Sequence, residues 1–324
     1  MFPTTATLTW ANRWDHLLAR LGYRRGEHRV RPGLYALGQP TPESPVWVTA
    51  NYTLSFDALR SALDGIDGYI LVLDTEGINV WCAAAKGTFG TDELVRRIEA
   101  TGLANVICHR TLILPQLGAA GVSAHEVRQR CGFRVEYGPV RASDLPEYLK
   151  THRATPEMRR VRFDFPDRLV LIPVELVHVF LPLLLAAVML YLLGGWTAMA
   201  AAVVAVLAGV VLFPILLPWL PTHDFSSKGF LLGGAVALPF ALATLLGNGP
   251  SVLWRFLTAL AYLLALPPVT AFLALNFTGS TPFTSRSRVR REIFRYIRPM
   301  AGLFVAGIVL VLARLIVERL GGFK

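Results

Sequence analysis

The sequence predicts an α/β domain, a Rossmann-like open sheet, followed by an all-α transmembrane bundle. Three observations lead there. Strand-like and helix-like runs alternate up to about residue 150, apolar residues crowd together after residue 168, and arginine clusters flank the apolar runs. Of the 324 residues 53% are hydrophobic, high for one soluble domain. The chain therefore divides into a cytoplasmic α/β domain at 1–150, a basic juxtamembrane linker at 151–168 and a transmembrane domain at 169–324.

In the first part VWVTA at 46–50 reads as an extended apolar run ended by Asn51-Tyr52-Thr53, and Leu54 to Leu63 as a short helix closed near Gly65. YILVLD at 69–74 reads as a buried strand ending in Asp74. Val80 to Lys86 is a short Ala-bearing helix closed by Gly87, which puts Cys82 on a small helix at a strand end. A periodic helix follows at 91–102 with Thr91 or Asp92 as its cap, then a strand NVICHR at 105–110, an amphipathic helix at 123–132 and a strand FRVEYGPV at 133–140. An open sheet of this kind takes its ligand at the carboxyl ends of its strands.

In the second part five spans are expected, at 169–193, 196–220, 229–247, 251–275 and 299–318, each near the roughly 20 helical residues that cross a bilayer. Glu175 and His178 interrupt the first near its start, and Pro173, Pro182, Pro214, Pro218, Pro239, Pro267 and Pro268 predict kinks or freed carbonyls. Glu175 reads either as snorkelling toward headgroups or as part of a bundle that shields a substrate. Arg153, Arg159, Arg160, Arg162 and Arg168 precede the first span; Arg286, Arg288, Arg290, Arg291, Arg295 and Arg298 lie in the connection 276–298. Both groups are expected on the cytoplasmic side, with the Gly194-Gly195 and 248–250 turns and Lys324 outside.

The net charge of +10 sits beside apolar spans rather than in a continuous basic surface, which argues for membrane orientation and against nucleic-acid binding. Three cysteines, Cys82, Cys108 and Cys131, and the absence of CxxC argue against a disulfide scaffold and for a reducing compartment. The N-terminus lacks a basic-then-apolar secretion signal, so the soluble domain is expected in the cytoplasm, at the inner membrane. The glycines at 87 and 90 do not make a nucleotide loop, and Cys and His are too sparse for structural zinc or an iron–sulfur cluster. The residues alone leave three readings of Cys82: a small buried hydrophobe, a reactive thiol beside Lys86, or a single soft ligand to a cofactor metal.

NVWCAAAKGTFG at 79–90 resembles the cap-helix motif of the membrane-anchored corrinoid protein of microbial mercury methylation. VTANYTLSFDALR at 48–60, LVLDTEGINVWCAAAKGTFGTDEL at 71–94, HRTLILPQLGAAGVSAHEV at 109–127, YGPVRASDLPEYL at 137–149 and NFTGSTPFTS at 276–285 carry the same likeness. The soluble part is also similar to the corrinoid-binding domain of the large subunit of the corrinoid iron–sulfur protein, which lacks this bundle and the Cys-bearing helix. The family motif falls here on Asn79, Val80, Trp81, Cys82, Ala83, Ala84, Ala85 and Lys86, and departs at Ala85, where the family has Gly.

The resemblance implies a corrinoid-dependent methyltransferase. Its cofactor is a cobalamin-like corrinoid with cobalt, and Cys82 is the lower axial ligand, so that methyl passes from methyl-cobalt(III) corrinoid to Hg(II) to give methylmercury. It implies a methyl-tetrahydrofolate-linked donor system and a separate ferredoxin-like partner with [4Fe-4S] clusters that restores Co(I). Asn79 is expected to cap the helix, Trp81 to pack on the corrin edge and Lys86 to meet corrin amides or the thiol. Thr49, Asn51, Thr88, Thr91 and His109 are expected to line the same crevice, with Val80, Ala83 and Ala85 on the cofactor-binding helix. Cys108 and Cys131 read as core or incidental. The alternatives are a membrane-bound methyl carrier with another thiol, metal or metalloid acceptor, and a non-enzymatic corrinoid store or sensor.

Overall fold

A computed structural model describes residues 1–280 and 286–319. Residues 281–285 of the NFTGSTPFTS segment, and Lys324 with its expected outside position, lie outside the described residues. The chain forms two compact units, Met1–Arg162 and Phe163–Lys324.

The first unit is built on six strands: β1 (Phe2–Thr4), β2 (Gly33–Leu37), β3 (Val46–Ala50), β4 (Gly68–Leu73), β5 (Thr111–Leu114) and β6 (Arg134–Tyr137), in the order β1-β2-β4-β3-β5-β6. β4, β3, β5 and β6 are parallel, and β2 pairs antiparallel with β4. The helices are α1 (Trp10–Arg20), α2 (Thr53–Ala62), α3 (Val80–Lys86), α4 (Thr91–Thr101), α5 (Leu103–Val106), α6 (Ala124–Cys131) and α7 (Leu145–Thr151).

Period-two alternation sends Val46, Val48 and Ala50 to one face of the sheet, against α3, α4 and α6. Trp47, Ile70, Val72 and Ile113 face α2 and α7 on the other side. Covering both faces is what an apolar parallel sheet requires. Residues 151–162 belong to this unit rather than hanging free: Met158 is buried, and its carbonyl accepts from the Val140 N–H at 2.7 Å.

Two local expectations are corrected. The strand expected at 105–110 is instead the helical turn α5 followed by a bend, and the strand is β5. Gly102 takes a left-handed conformation and starts another turn, while the apolar TLIL, not NVICHR, fills the sheet position. The cap of α4 is Gly90, not Thr91 or Asp92, with no side-chain cap bond.

The second unit contains α8 (Phe165–Leu169), α9 (Ile172–Leu207), a π-turn at Ala208–Leu212, α10 (Phe213–Leu216), α11 (Phe225–Leu246), α12 (Val252–Asn276) and α13 (Arg286–Arg319). Among the described residues four stretches are long and apolar enough to cross a membrane: Phe165–Leu216, Phe225–Leu246, Val252–Asn276 and Ser287–Arg319. The expected first two spans fall in the first of these. Its 52 residues exceed one crossing of about 20, and inside α9 only Gly195 leaves the helical region, at φ 71° and ψ −168°. Residues on both sides of that break, Val179 to Leu193 and Ala198 to Val206, line one apolar cavity with α12 and α13.

The basic segment from Arg286 to Arg298 is helical, as the first turns of α13, rather than a loop. Pro182, Pro239, Pro267, Pro268 and Pro299 stay within continuous helices. Pro218 cannot donate to the Pro214 carbonyl four residues before it, and the buried Arg168 does so instead, with Nη1 at 3.3 Å from that oxygen and 3.0 Å from the Ile215 oxygen.

Candidate functional site

The chain leaves β3 toward β4 and later returns to β5 on the other side of β3. The carboxyl ends of β3 and β5 therefore form a topological switch point, and Trp47↔Ile113 is the register pair between them. A cavity of about 330 Å³ opens there. Thr49 from β3, Leu114 and Pro115 beyond β5, Leu54 and Ala58 of α2, Pro139 and Val140 after β6, and Asn79, Val80 and Trp81 of the cap-helix segment line it. Trp47 also lines it, and its indole N–H is buried without a hydrogen-bond partner. An orphaned buried donor is costly unless a ligand satisfies it.

The loop that carries α3 to this point is held by one side chain. Asn51 Oδ1 accepts from Thr75 N at 3.0 Å, Thr75 Oγ1 at 2.9 Å and Gly77 N at 3.0 Å, while its Nδ2 donates to Asp74 Oδ1 at 3.1 Å. Thr75 Oγ1 also lies 2.7 Å from the Ile78 carbonyl oxygen, so its one proton is shared between that oxygen and Asn51 Oδ1. Asn79 then caps α3, its Oδ1 accepting from the Cys82 N–H at 2.9 Å, and Gly87 ends the helix at φ 90°. Asn51 is 2% exposed and does not line the cavity, so it positions the helix instead of meeting a ligand.

α3 buries Val80, Ala83 and Ala84 and exposes Trp81, Cys82, Ala85 and Lys86. At roughly 100° per residue, Trp81, Ala85, Cys82 and Lys86 follow one another round a single side. The buried side rests on the 3-10 turn Gln116–Ala120 and Gly121: a Cβ on Gly121 would lie 2.2 Å from the Phe89 oxygen and 3.0 Å from Ala84 Cα. Cys82 is a free, exposed cysteine, which overturns its reading as a buried hydrophobe.

The remaining expected site residues lie elsewhere. The Thr88 hydroxyl is buried without a partner, and Thr91 Oγ1 accepts from Ser123 N at 2.9 Å; neither lines the cavity. His109 precedes β5, at the end of the sheet opposite the crevice, where its Nε2 lies 2.9 Å from the Ser44 carbonyl and its Nδ1 accepts from Thr111 N at 3.2 Å. Cys108 is exposed, its Sγ 3.3 Å from the Pro42 oxygen; Cys131 Sγ lies 3.2 Å from the Val127 oxygen. Sequence reasoning missed Trp47, Thr75, Gly121 and the Pro115 and Pro139 turns. For Trp47 the signal was available, because alternation along β3 puts it on the same face as Thr49.

Residues 24–149 match the family model described as CO dehydrogenase/acetyl-CoA synthase delta subunit. The chain is similar to the acetyl-CoA decarbonylase/synthase complex subunit gamma of Methanopyrus kandleri, 36% identical over 128 residues, which are 39% of this chain and 27% of that protein. It is similar to the subunit of the same name in Archaeoglobus fulgidus, at 34% over 124 residues, 38% of this chain and 26% of the relative. In Methanocaldococcus jannaschii the figures are 31% over 130 residues, 40% and 26%. The match thus spans about a quarter of the length of these relatives, and the matched family segment lies wholly within the α/β unit.

Proposed function

We propose that the α/β unit binds a corrinoid and that the chain is a membrane-bound corrinoid-dependent methyltransferase, in which the Cys82 thiolate would hold the cobalt. The observation that carries this reading is the free, exposed Cys82 thiol on a helix fixed at the switch point of the sheet. Among the described residues no three His, Cys, Asp or Glu side chains converge, so one thiol suits a metal that arrives with its other ligands in a macrocycle. The similarity of residues 24–149 to subunits of the acetyl-CoA decarbonylase/synthase complex supports one-carbon chemistry of this kind.

The residues present fit such a group. The exposed side of α3 offers sulfur, a small Ala85, the Trp81 ring and the Lys86 cation. The size of the adjoining cavity suits a peripheral side chain or tail rather than the whole macrocycle. Asn79 holds the Cys82 backbone, and Asn51 with Thr75 holds the loop, so the sulfur is presented without a reorganisation cost. Thr49 and Val80 complete the wall next to the ligand, and Ala83 and Ala84 seat the helix. When bound, the corrinoid supplies a methyl group that leaves with its bonding electrons, and a thiolate ligand favours that polarity toward an electrophile such as Hg(II). The two arginine clusters favour a cytoplasmic α/β unit, where a methyl-tetrahydrofolate-linked donor and a low-potential iron–sulfur partner are available.

A second reading, a methyl carrier for another thiol, metal or metalloid acceptor, is favoured by Ala85 standing where the mercury-related family has Gly. The two are separated by supplying the full-length protein in detergent with a methylcorrinoid and then Hg(II) or a thiol. The first reading expects methylmercury, abolished by Cys82→Ala together with a change in the visible spectrum of the bound cofactor. Corrinoid binding with no methylmercury from either the parent or Ala85→Gly supports the second. Failure to bind corrinoid at all sinks both.

A further inference from the structure

α1 is inside out for a helix on a soluble domain. Around the buried Ala19 its inward residues are polar and bonded: Asn12 Oδ1 accepts from Arg60 Nη2 at 3.1 Å, His16 Nε2 lies 2.7 Å from Asp57 Oδ2, and the Asp15 carboxylate meets His28 Nδ1 at 2.7 Å and accepts from Thr53 Oγ1 at 2.6 Å. Its outward stripe is apolar. Trp10, Trp14 and Leu17, one turn apart, are 78%, 53% and 45% exposed, and Tyr23 just beyond the helix is 53% exposed. Arg13, Arg20, Arg24 and Arg25 are exposed on the helix and the turn after it. Two tryptophans left in water on one helix face are a cost that calls for a partner surface.

Indole and phenol rings flanked by arginines are the composition of a bilayer interface, where the ring's polar edge stays hydrated and guanidinium groups meet anionic headgroups. The same chain carries four candidate spans beginning at Phe165, so a bilayer is within reach of every copy. Asp15 is committed to His28 and Thr53, which reduces the negative charge that α1 brings to such a surface. We propose that α1 is an interfacial helix that lays Trp10, Trp14, Leu17 and Tyr23 into the headgroup region of an anionic membrane, with Arg13, Arg20, Arg24 and Arg25 on the headgroups. This gives the α/β unit a lipid contact of its own, independent of any cofactor.

The test uses the full chain in nanodiscs of phosphatidylcholine with and without phosphatidylglycerol, with ordinary or brominated acyl chains. Subtracting the emission of the Trp10→Phe/Trp14→Phe variant isolates these two indoles from the other tryptophans. The expected difference spectrum is blue-shifted, loses intensity in brominated lipid, resists acrylamide, and is most protected with phosphatidylglycerol. Changing Arg13, Arg20, Arg24 and Arg25 together to Gln should remove the dependence on phosphatidylglycerol. Emission that acrylamide quenches freely and brominated lipid leaves unchanged overturns the proposal. So does protection that appears only on adding an acidic soluble protein, which makes the face a protein-docking site. All substituted positions are exposed; matching circular dichroism checks folding, and Trp10→Phe alone gives the same reading from one indole.

Discussion

Asn51 and Gly121 set the position of Cys82 without touching a ligand. Replacing Asn51 by Ala strands the N–H groups of Thr75 and Gly77 in the interior, while the Thr75 hydroxyl keeps the Ile78 carbonyl. The expected cost is about 2–4 kcal/mol, read as a lower thermal midpoint of the α/β unit, with weaker corrinoid binding even though Cys82 is intact. A variant with the parent's stability and binding would show that the loop does not depend on this side chain. Gly121→Ala drives a methyl into the Phe89 carbonyl and the Ala84 backbone, neither of which is the flexible end of a side chain. It should cost about 1–3 kcal/mol and shift α3, detected as a changed rate of Cys82 alkylation. The place of Cys82 on a short helix was legible because Asn79 and Gly87, the two ends of that helix, are local signals. Asn51 was legible as a strand-end residue but not in its role, because its partners lie 23 to 26 residues away and only the fold brings them together.

Among the elements, the strands with strong apolar runs, β3 and β4, were readable within a residue of their bounds, as were α2, α3 and α6. β5 was misplaced because NVICHR and TLIL are both short apolar runs, and neither periodicity nor composition chooses between them; sheet pairing with β6 does. That shift is why His109 leaves the crevice: a strand ending there would have put it at the carboxyl end, whereas a strand beginning after it puts it at the amino end. Residues 1–37 carry β1 and β2, which join the sheet by strand pairing, and α1, which is tied to the unit largely by polar contacts that leave no pattern in the sequence. His28 is central among them, with Nδ1 2.7 Å from Asp15 and Nε2 2.6 Å from the Tyr23 carbonyl, so only the imidazolium can donate to both. Burial works against that charge, but the bonds to Asp15 and Tyr23 and the charges of Asp15 and Glu27 outweigh it, and the pKa is raised above the ordinary 6.5. A raised value means that the stabilisation is complete below about pH 6.5 and is lost as pH rises through the folded-state pKa. Protection of the amides around Tyr23 to Thr53, taken relative to their intrinsic base-catalysed exchange, should therefore fall at alkaline pH in the parent, and His28→Gln should flatten that dependence. Parallel profiles would remove His28 as the cause.

At the scale of the whole molecule the division into an α/β unit and an apolar helical unit was legible from composition alone. The five expected spans stand, among the described residues, against four stretches long and apolar enough to cross a membrane. The first two expected spans fall in one 52-residue apolar stretch whose helix α9 is broken at Gly195, and a pair of glycines among apolar residues does not announce such a break. The cores tell the same story of division. Among the described residues the two clusters of the α/β unit run between Leu34 and Tyr148, and the two of the helical unit begin at Phe163. A segment of this size with cores of its own on both faces of a sheet has what independent folding requires. Residues 1–162 expressed alone should therefore fold without detergent, unfold cooperatively, and match in midpoint one of two separable transitions of the full chain. Because the cap helix is held by Asn51, Thr75 and Gly121, all within that segment, the fragment should also retain Cys82-dependent corrinoid binding. A single shared transition in the full chain, with an unfolded fragment, would mean that the membrane unit contributes to the stability of the α/β unit and that its core is not self-sufficient. A fragment that folds but has lost corrinoid would instead place part of the binding surface beyond Arg162.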